Sequence, residues 1–279
     1  MDFKGFSFTV QGRLVSFDRP AVMGILNITP DSFYDGGRYN TDDAMLAQAQ
    51  SLLDDGADII DLGAASSRPG ATLPPPEEEA ERLARAVTLL RSRFPQAILS
   101  VDTCWTLPAR RAIEAGADII NDIGGGDTDP GMFALAAELQ VPYILMHGGR
   151  EHLAHLQPQP MASPVDSLTR FFSERLDSLY RLGVKDVWID PGFGFGKTLE
   201  DNYAILENLQ EITSLFREPL LTALSRKRMI YMRLGTTPQE ALHGTTALDA
   251  VALVKGSALV RVHDPKPAAD TIRLLFPGK

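Results

Sequence analysis

A chain of 279 residues, 44% hydrophobic and 23% charged, has ample apolar material for a large core and an ordinary globular composition. Its formal net charge of −9 comes without a basic cluster, which argues against a long nucleic-acid or anionic-membrane surface but leaves room for a local anion site. No run of about 18 apolar residues occurs, so no membrane span is expected; the start MDFKGFSFTVQGRLVSFD is unlike a secretory signal, and the single cysteine, Cys104, fits a reducing cytoplasm.

In chain order, Phe6 to Asp18 alternates apolar and polar residues around Gln11-Gly12-Arg13, which predicts a β-hairpin ahead of the main fold. From Val22 onward, short apolar runs alternate with amphipathic helical stretches. The runs are VMGILNIT, ADIIDLG, AILSVDT, ADIINDI, PYILMH, DVWIDPG, PLLTALS and ALVRVHD, beginning at Val22, Ala57, Ala97, Ala117, Pro142, Asp186, Pro219 and Ala258. Near-continuous apolar runs are what parallel strands buried on both faces look like. The intervening helices include TDDAMLAQAQSLLDDGA, with Thr41 as the expected cap, and PEEEAERLARAVTLLRSRF, acidic in its first turn. Eight such units without repeat, linker or low-complexity segment predict one α/β domain over residues 1–279: a TIM (β/α)8 barrel with an N-terminal hairpin over 1–20. Three long loops, Asp31 to Tyr39, Ala64 to Pro76 and Gly148 to Pro164, would project from the carboxyl ends of the strands, where lids are found.

The informative feature is how the runs end. The first closes on Asn27, the second carries Asp61, and the third closes on Asp102. The fourth closes on Asn121-Asp122, the fifth on His147 and the sixth on Asp190. The seventh runs into Ser225-Arg226-Lys227, and the eighth carries Arg261 and His263. Any one of these can be capping a helix or bonding a loop; eight together point to a shared pocket at the carboxyl end of a barrel. Asp102, Asn121 and Asp190 supply two carboxylates and one amide, a set that matches a flat heterocycle edged with amino, imino and keto groups. Arg261 and His263 stand two apart and so face the same way. With Asn27 across the closed barrel they form a corner for an anion, and Lys227 lies between the two sides.

Other motifs are decoys. Gly192 to Thr198 (GFGFGKT) resembles a phosphate loop, but that pattern requires glycine where Pro191 stands, so the segment reads as a tight turn. Gly124-Gly125-Gly126 lacks dinucleotide spacing and reads as a flexible loop. His152 and His155 have no third ligand in view for zinc, and Cys104 has no activating neighbour.

GILNITPDSFYDGG (from Gly24), SSRPGA (from Ser66), SVDT (from Ser100), GADIINDI (from Gly116), LMH (from Leu145), DPGFGFGKT (from Asp190), SRK (from Ser225) and RVHD (from Arg261) resemble the dihydropteroate synthase family, in order and over essentially the whole chain. The resemblance implies condensation of 7,8-dihydropterin-6-ylmethyl diphosphate with p-aminobenzoate in folate synthesis. It implies pterin contacts at Asp102, Asn121, Asp190 and Lys227, with Asp102, Lys227 and Asp190 closest to the chemistry. It implies a diphosphate site at Asn27, Arg68, Arg261 and His263, with Mg2+ held at Asn27. The p-aminobenzoate contacts would be Ser67, Arg68, Pro69, Lys227 and Arg228. It further implies closing first and second loops, a homodimer and, from the electron-rich dihydropterin, a dissociative, SN1-like substitution.

This chain departs from the family pattern in three places. Ala65 stands where many members have an acidic residue, with Ser67 keeping the hydroxyl of the more usual threonine. Arg228 replaces a serine, and either binds the p-aminobenzoate carboxylate or faces solvent. The loop Met146 to Gln157 follows its own sequence. Two rival readings are a pterin-dependent methyltransferase, which would not need the anion corner, and a pterin-binding barrel that has lost catalysis.

Overall fold

The computed structural model describes residues 3–28, 38–64, 74–148, 158 and 160–278, with side chains in the first helix described from residue 42. Strands β1 (Phe6–Val10) and β2 (Arg13–Phe17) form the hairpin, antiparallel in the register Phe6 to Phe17. The barrel strands are β3 (Ala21–Asn27), β4 (Ile59–Gly63), β5 (Ile98–Asp102), β6 (Ile119–Asp122), β7 (Tyr143–Met146), β8 (Val187–Asp190), β9 (Leu221–Thr222) and β10 (Leu259–Val262). Each coincides with one of the eight apolar runs. They pair in parallel, in the order β8-β7-β6-β5-β4-β3-β10-β9. A parallel bridge between Ile189 and Leu220, with Ile189 N–H donating to Pro219 O at 3.0 Å, joins the two ends of this order into a barrel.

The helices between them are α1 (Arg38–Asp54), α2 (Pro76–Arg93), α3 (Thr106–Glu114), α4 (Met132–Leu139) and α5 (Pro164–Arg181). They are followed by α6 (Leu199–Glu207), α7 (Leu209–Leu215), α8 (Arg228–Leu234), α9 (Leu242–Val254) and α10 (Pro265–Leu275). α2 starts with Pro76 at its first position and carries Glu77, Glu78 and Glu79 against the positive end of its dipole, as its sequence predicts. The expected cap at Thr41 is not one: α1 begins three residues earlier, at Arg38, so Thr41 lies inside the first turn.

Strand alternation divides the chain between two cores. Val22, Leu26, Ile60, Leu62, Leu99 and Val101 point outward and pack under the helices. The opposite set lines the interior. Met23, Ile59, Ile119, Ile144, Trp188, Leu221 and Leu259, with the partly buried Ile98, form an apolar tier at the amino ends of the strands. The hairpin closes this end like a stopper. Phe8 lies edge-on to Trp188 at 4.7 Å between ring centroids, and Thr9 N–H donates to Asp186 at 2.9 Å. Asp118 joins hairpin to barrel by accepting from Gln11 and from Arg91 of α2, each at 2.7 Å. With Phe8 and Trp188 packed at its base, the barrel interior is closed at this end.

One buried acid stands outside this scheme. Asp249 of α9 is 1% exposed, and its Oδ1 has no hydrogen-bond partner among the described residues. Burial alone pushes its carboxyl up to about 8. Between the unfolded value near 3.8 and that folded value the native state retains a proton that the unfolded chain has lost, so stability falls as pH rises through this window. We expect Asp249→Asn to remove that decline, flattening it by at most about 1.4 kcal/mol per pH unit. Urea unfolding of both proteins from pH 4 to 9 checks this, and parallel profiles would refute it.

Candidate active site

Two residues above the apolar tier the interior turns polar, because the strand period of two carries the same inward face upward. Ile59 is followed by Asp61, Ile119 by Asn121, Trp188 by Asp190 and Leu259 by Arg261. Above these come Asn27, Asp102, Ser225 and His263. The pairing of Asp102 with Asn121 in register reflects the stagger of barrel strands.

Arg261 is the crossbar of this tier. From β10 its Nε donates to Asp61 on β4 at 2.6 Å and its Nη2 donates to Asp102 on β5 at 2.7 Å, contacts that span the interior. Asp61 is fully buried, and the same Oδ2 accepts from Asn121 Nδ2 at 3.0 Å. With Nδ2 so committed, the amide oxygen of Asn121 is the atom that can serve a ligand. Asp61 Oδ1 has no partner among the described residues, so this carboxylate retains accepting capacity in the wall of the site. Burial raises the Asp102 carboxyl to about 7. Arg261 opposes that rise, and the neighbouring Asp61, Glu79 and Asp122 add to it. Asp190 is likewise raised by burial, against the pull of Lys227.

Lys227 closes the other side. Its ammonium donates to Phe193 O and lies 4.6 Å from the centre of the Phe195 ring. Burial lowers it to about 8, while Asp190 and Asp102 favour its charge and Arg261 opposes it, which places all four groups in one field. The supporting turn is held by its glycines: at Gly192, with φ +66°, a Cβ would sit 2.2 Å from His147 O. Asp190 Oδ1 accepts from Gly192 N–H at 2.7 Å, leaving its other oxygen to face a ligand.

His263 stands exposed at the rim, with Nδ1 2.9 Å from Ser225 Oγ. Partial desolvation of its ring and the charge of Arg261 lower its pKa, which favours the neutral form at pH 7. In the tautomer where Ser225 donates to Nδ1, Nε2 carries the proton and can donate to an anion. Asn27 is half-buried at the end of β3. Among the described residues no group of three or more His, Cys, Asp or Glu could hold a metal. One amide oxygen fits magnesium only in the manner of a hard cation shared with substrate phosphates and water, which is the usual manner for that ion.

The structure therefore brings Asn27, Asp102, Asn121, Asp190, Lys227, Arg261 and His263 to the carboxyl end of the barrel. Ser67, Arg68 and Pro69 lie outside the described residues, as do His152, His155 and most of the three long loops. Arg228 opens α8 and is exposed, with its Nε turned to Met232 Sδ of the same helix.

Three strand-end residues serve the scaffold instead. Asp122 accepts from the N–H groups of Gly124 and Gly126, both at 2.7 Å, and from Tyr143 Oη. That glycine run is thus tightly packed where looseness was expected, and a Cβ on Gly124 would lie 2.9 Å from Cys104 Cβ. The His147 ring packs on Phe171 of α5 at 4.7 Å, outside the barrel. Arg226 chelates Asp264 at 2.9 and 3.0 Å. Cys104 is buried, and burial pushes its thiol up, leaving it unreactive as expected.

The class of protein follows from the family model for pterin binding enzymes, which matches residues 23–263 of this (β/α)8 barrel, including the carboxylates and amide at its carboxyl end. A dihydropteroate synthase of Streptococcus pyogenes is 40% identical over 95% of this chain and 97% of its own. The Xanthomonas albilineans dihydropteroate synthase, solved with 4-aminobenzoic acid, superposes with a TM-score of 0.88 at 37% identity over 96% of both chains. The same enzyme in complex with 7,8-dihydropteroate gives 0.84 at 35% identity, covering 96% of this chain and 97% of that one. This chain belongs to the dihydropteroate synthase family, transferases of alkyl groups.

Asp61 is the site residue that sequence reasoning underweighted. Asp61→Ala would strip an acceptor from a buried guanidinium and from Asn121 at once. The expected loss of stability is about 3–5 kcal/mol, as for other broken buried ion pairs. Chemical denaturation measures it, and a loss under about 1 kcal/mol would mean that Asp61 does not hold the crossbar.

Proposed function

We propose that this chain joins 7,8-dihydropterin-6-ylmethyl diphosphate to p-aminobenzoate, giving 7,8-dihydropteroate and diphosphate for folate biosynthesis. The observation that carries this reading is the tier in which Asp102, Asn121 and Asp190 face one space while Arg261 crosses it and Lys227 bounds it. A pterin edge offers amino and imino donors with a keto acceptor. The free oxygens of Asp190 and Asn121 would take the donors and Lys227 the acceptor. The Xanthomonas albilineans complexes with 4-aminobenzoic acid and 7,8-dihydropteroate support the pairing of substrates.

In the dissociative course we infer, the methylene C–O bond breaks first. Diphosphate leaves with the bonding pair, and the cation is spread over the dihydropterin. The aniline nitrogen of p-aminobenzoate then forms the C–N bond and loses its proton. Asp102 would act electrostatically. Its carboxyl near 7 is drawn to the ionised form by a cation growing beside it, so its stabilisation is strongest when the barrier is crossed. Asp190 would fix the ring. Arg261, the neutral His263 and Arg68 would receive the departing anion, and Asn27 would offer its amide oxygen to magnesium. That ion's chemistry, when bound, is to offset charge developing on diphosphate. For p-aminobenzoate the expected contacts are Ser67, Arg68, Pro69, Lys227 and Arg228. Loops closing over the carboxyl ends would keep water from capturing the cation.

Release of diphosphate in a coupled assay should require both substrates and fall sharply when magnesium is chelated; no release with both substrates present, together with binding of methyltetrahydrofolate, would replace this reading. For the dissociative course, deuterium at the substrate methylene should give a normal secondary isotope effect well above unity. A value near unity would mean that nitrogen attack accompanies bond breaking.

A further inference from the structure

The lysine of the DPGFGFGKT segment has no part in the chemistry above, yet it is one of the most deeply buried charges in the molecule. Lys197 is 5% exposed. Its Nζ donates to His147 O at 2.9 Å, to Gly192 O at 2.9 Å and to Phe195 O at 3.0 Å. An ammonium has three protons, and each is spent on a backbone carbonyl. An ammonium withdrawn from water is strongly disfavoured unless fully bonded, so this arrangement is specific and not incidental. Burial pulls Lys197 down to about 7, and the charges of Asp190 and Asp201 work against that fall.

The carbonyls come from two elements. His147 O lies at the end of β7; Gly192 O and Phe195 O belong to the turn after β8. That turn is shaped by left-handed Gly192, Gly194 and Gly196, and besides Lys197 it is held by Phe195 N–H donating to Gly192 O at 3.1 Å and Gly194 N–H donating to Asn202 Oδ1 at 2.6 Å. Its inner surface is functional. Gly192 N–H holds Asp190, Phe193 O holds the Lys227 ammonium, and the Phe195 ring lies beside the same ammonium. Lys197 therefore grips from behind Gly192 and Phe195, two of the three turn residues that contact the site groups in front.

We propose that Lys197 is a positioning residue of the pterin site, an internal tie that fixes the turn 191–196 so that Lys227 and Asp190 keep their working orientation. This rests on the reading above that Lys227 serves the pterin substrate. The failed phosphate-loop pattern is explained with it: the lysine that would grip a phosphate is turned inward to grip the loop's own carbonyls.

A kinetic double-mutant cycle on the whole chain tests the inference, using Lys197→Met, Lys227→Met and the double variant, with far-UV circular dichroism to establish folding. Lys197→Met should fold and lower kcat/KM for the pterin diphosphate by roughly ten- to hundredfold, the range expected for misplacement by about an ångström. The double variant should lose clearly less than the product of the two single losses, because part of the effect of Lys197 runs through Lys227 and only the remainder through Asp190. A lesion that is merely structural would multiply the two losses, and that outcome overturns the proposal, as does an unchanged kcat/KM in Lys197→Met. If Lys227→Met has wild-type constants, the reading of the site fails and takes this inference with it. Should Lys197→Met not fold, Lys197→Gln, which keeps two N–H donors, takes its place in the same cycle and is judged by the same two outcomes.

Discussion

Charges inside a barrel persist only when they hold one another, and the Arg261 crossbar is how this chain meets that requirement. A guanidinium is planar, always charged and able to donate in two directions, so one side chain can join Asp61 and Asp102 from separate strands. Lysine at that position would offer a single point of charge and could not hold both carboxylates in fixed planes. Because Asp61 also takes Asn121, the orientation of three site groups follows from one residue on the last strand. The site is therefore set by the closure of the barrel itself: β10 must lie beside β3 for Arg261 to reach across. Folding and assembly of the pocket are one event.

The same logic explains why the polar tier sits where it does. The apolar tier below it is sealed by the hairpin, whose Phe8 meets Trp188. Asp61, Asp102 and Asp190 are thereby kept from water at the base, while Asp102 and Asp190 stand toward the carboxyl end. Their carboxyls rest on a dry floor, which strengthens every contact they make. A hairpin that looks peripheral in the chain is thus part of the electrostatic setting of the site.

Much of this was legible in the residues. The eight runs stood out because strands covered on both faces are apolar throughout, and the polar endings stood out against them. The endings are not all alike. The period of two distinguishes them: Ile144 and Met146 face inward, so His147 must face the helices, and Asn121 facing inward sends Asp122 the other way. Parity was available and decides both cases. Arg226 was not accessible in that manner, since its φ of +55° turns it out of the strand rhythm toward Asp264. Nor was the weight of Asp61, which sits mid-run in IIDLG and finds its partner 200 residues away. A long-range pairing leaves no local pattern. Thr41 failed as a cap because the segment before it is already helical, and capping residues within a first turn are common enough to mimic a start.

Charge accounting in the finished pocket bears on the anion. Asp61 and Asp102 are answered by Arg261, and Asp190 by Lys227 and the buried Lys197, while His263 is neutral. The described residues hold no large positive surplus. A diphosphate entering this space brings several negative charges, and Arg261 can turn toward it only by loosening its hold on Asp61 and Asp102. On the proposed reading this tension has a physical resolution. On that reading the anion would need positive charge from outside the strand tier, the role proposed for Arg68 and magnesium. A cavity balanced on its own favours the pterin ring through directed hydrogen bonds and leaves the diphosphate dependent on charges assembled with it.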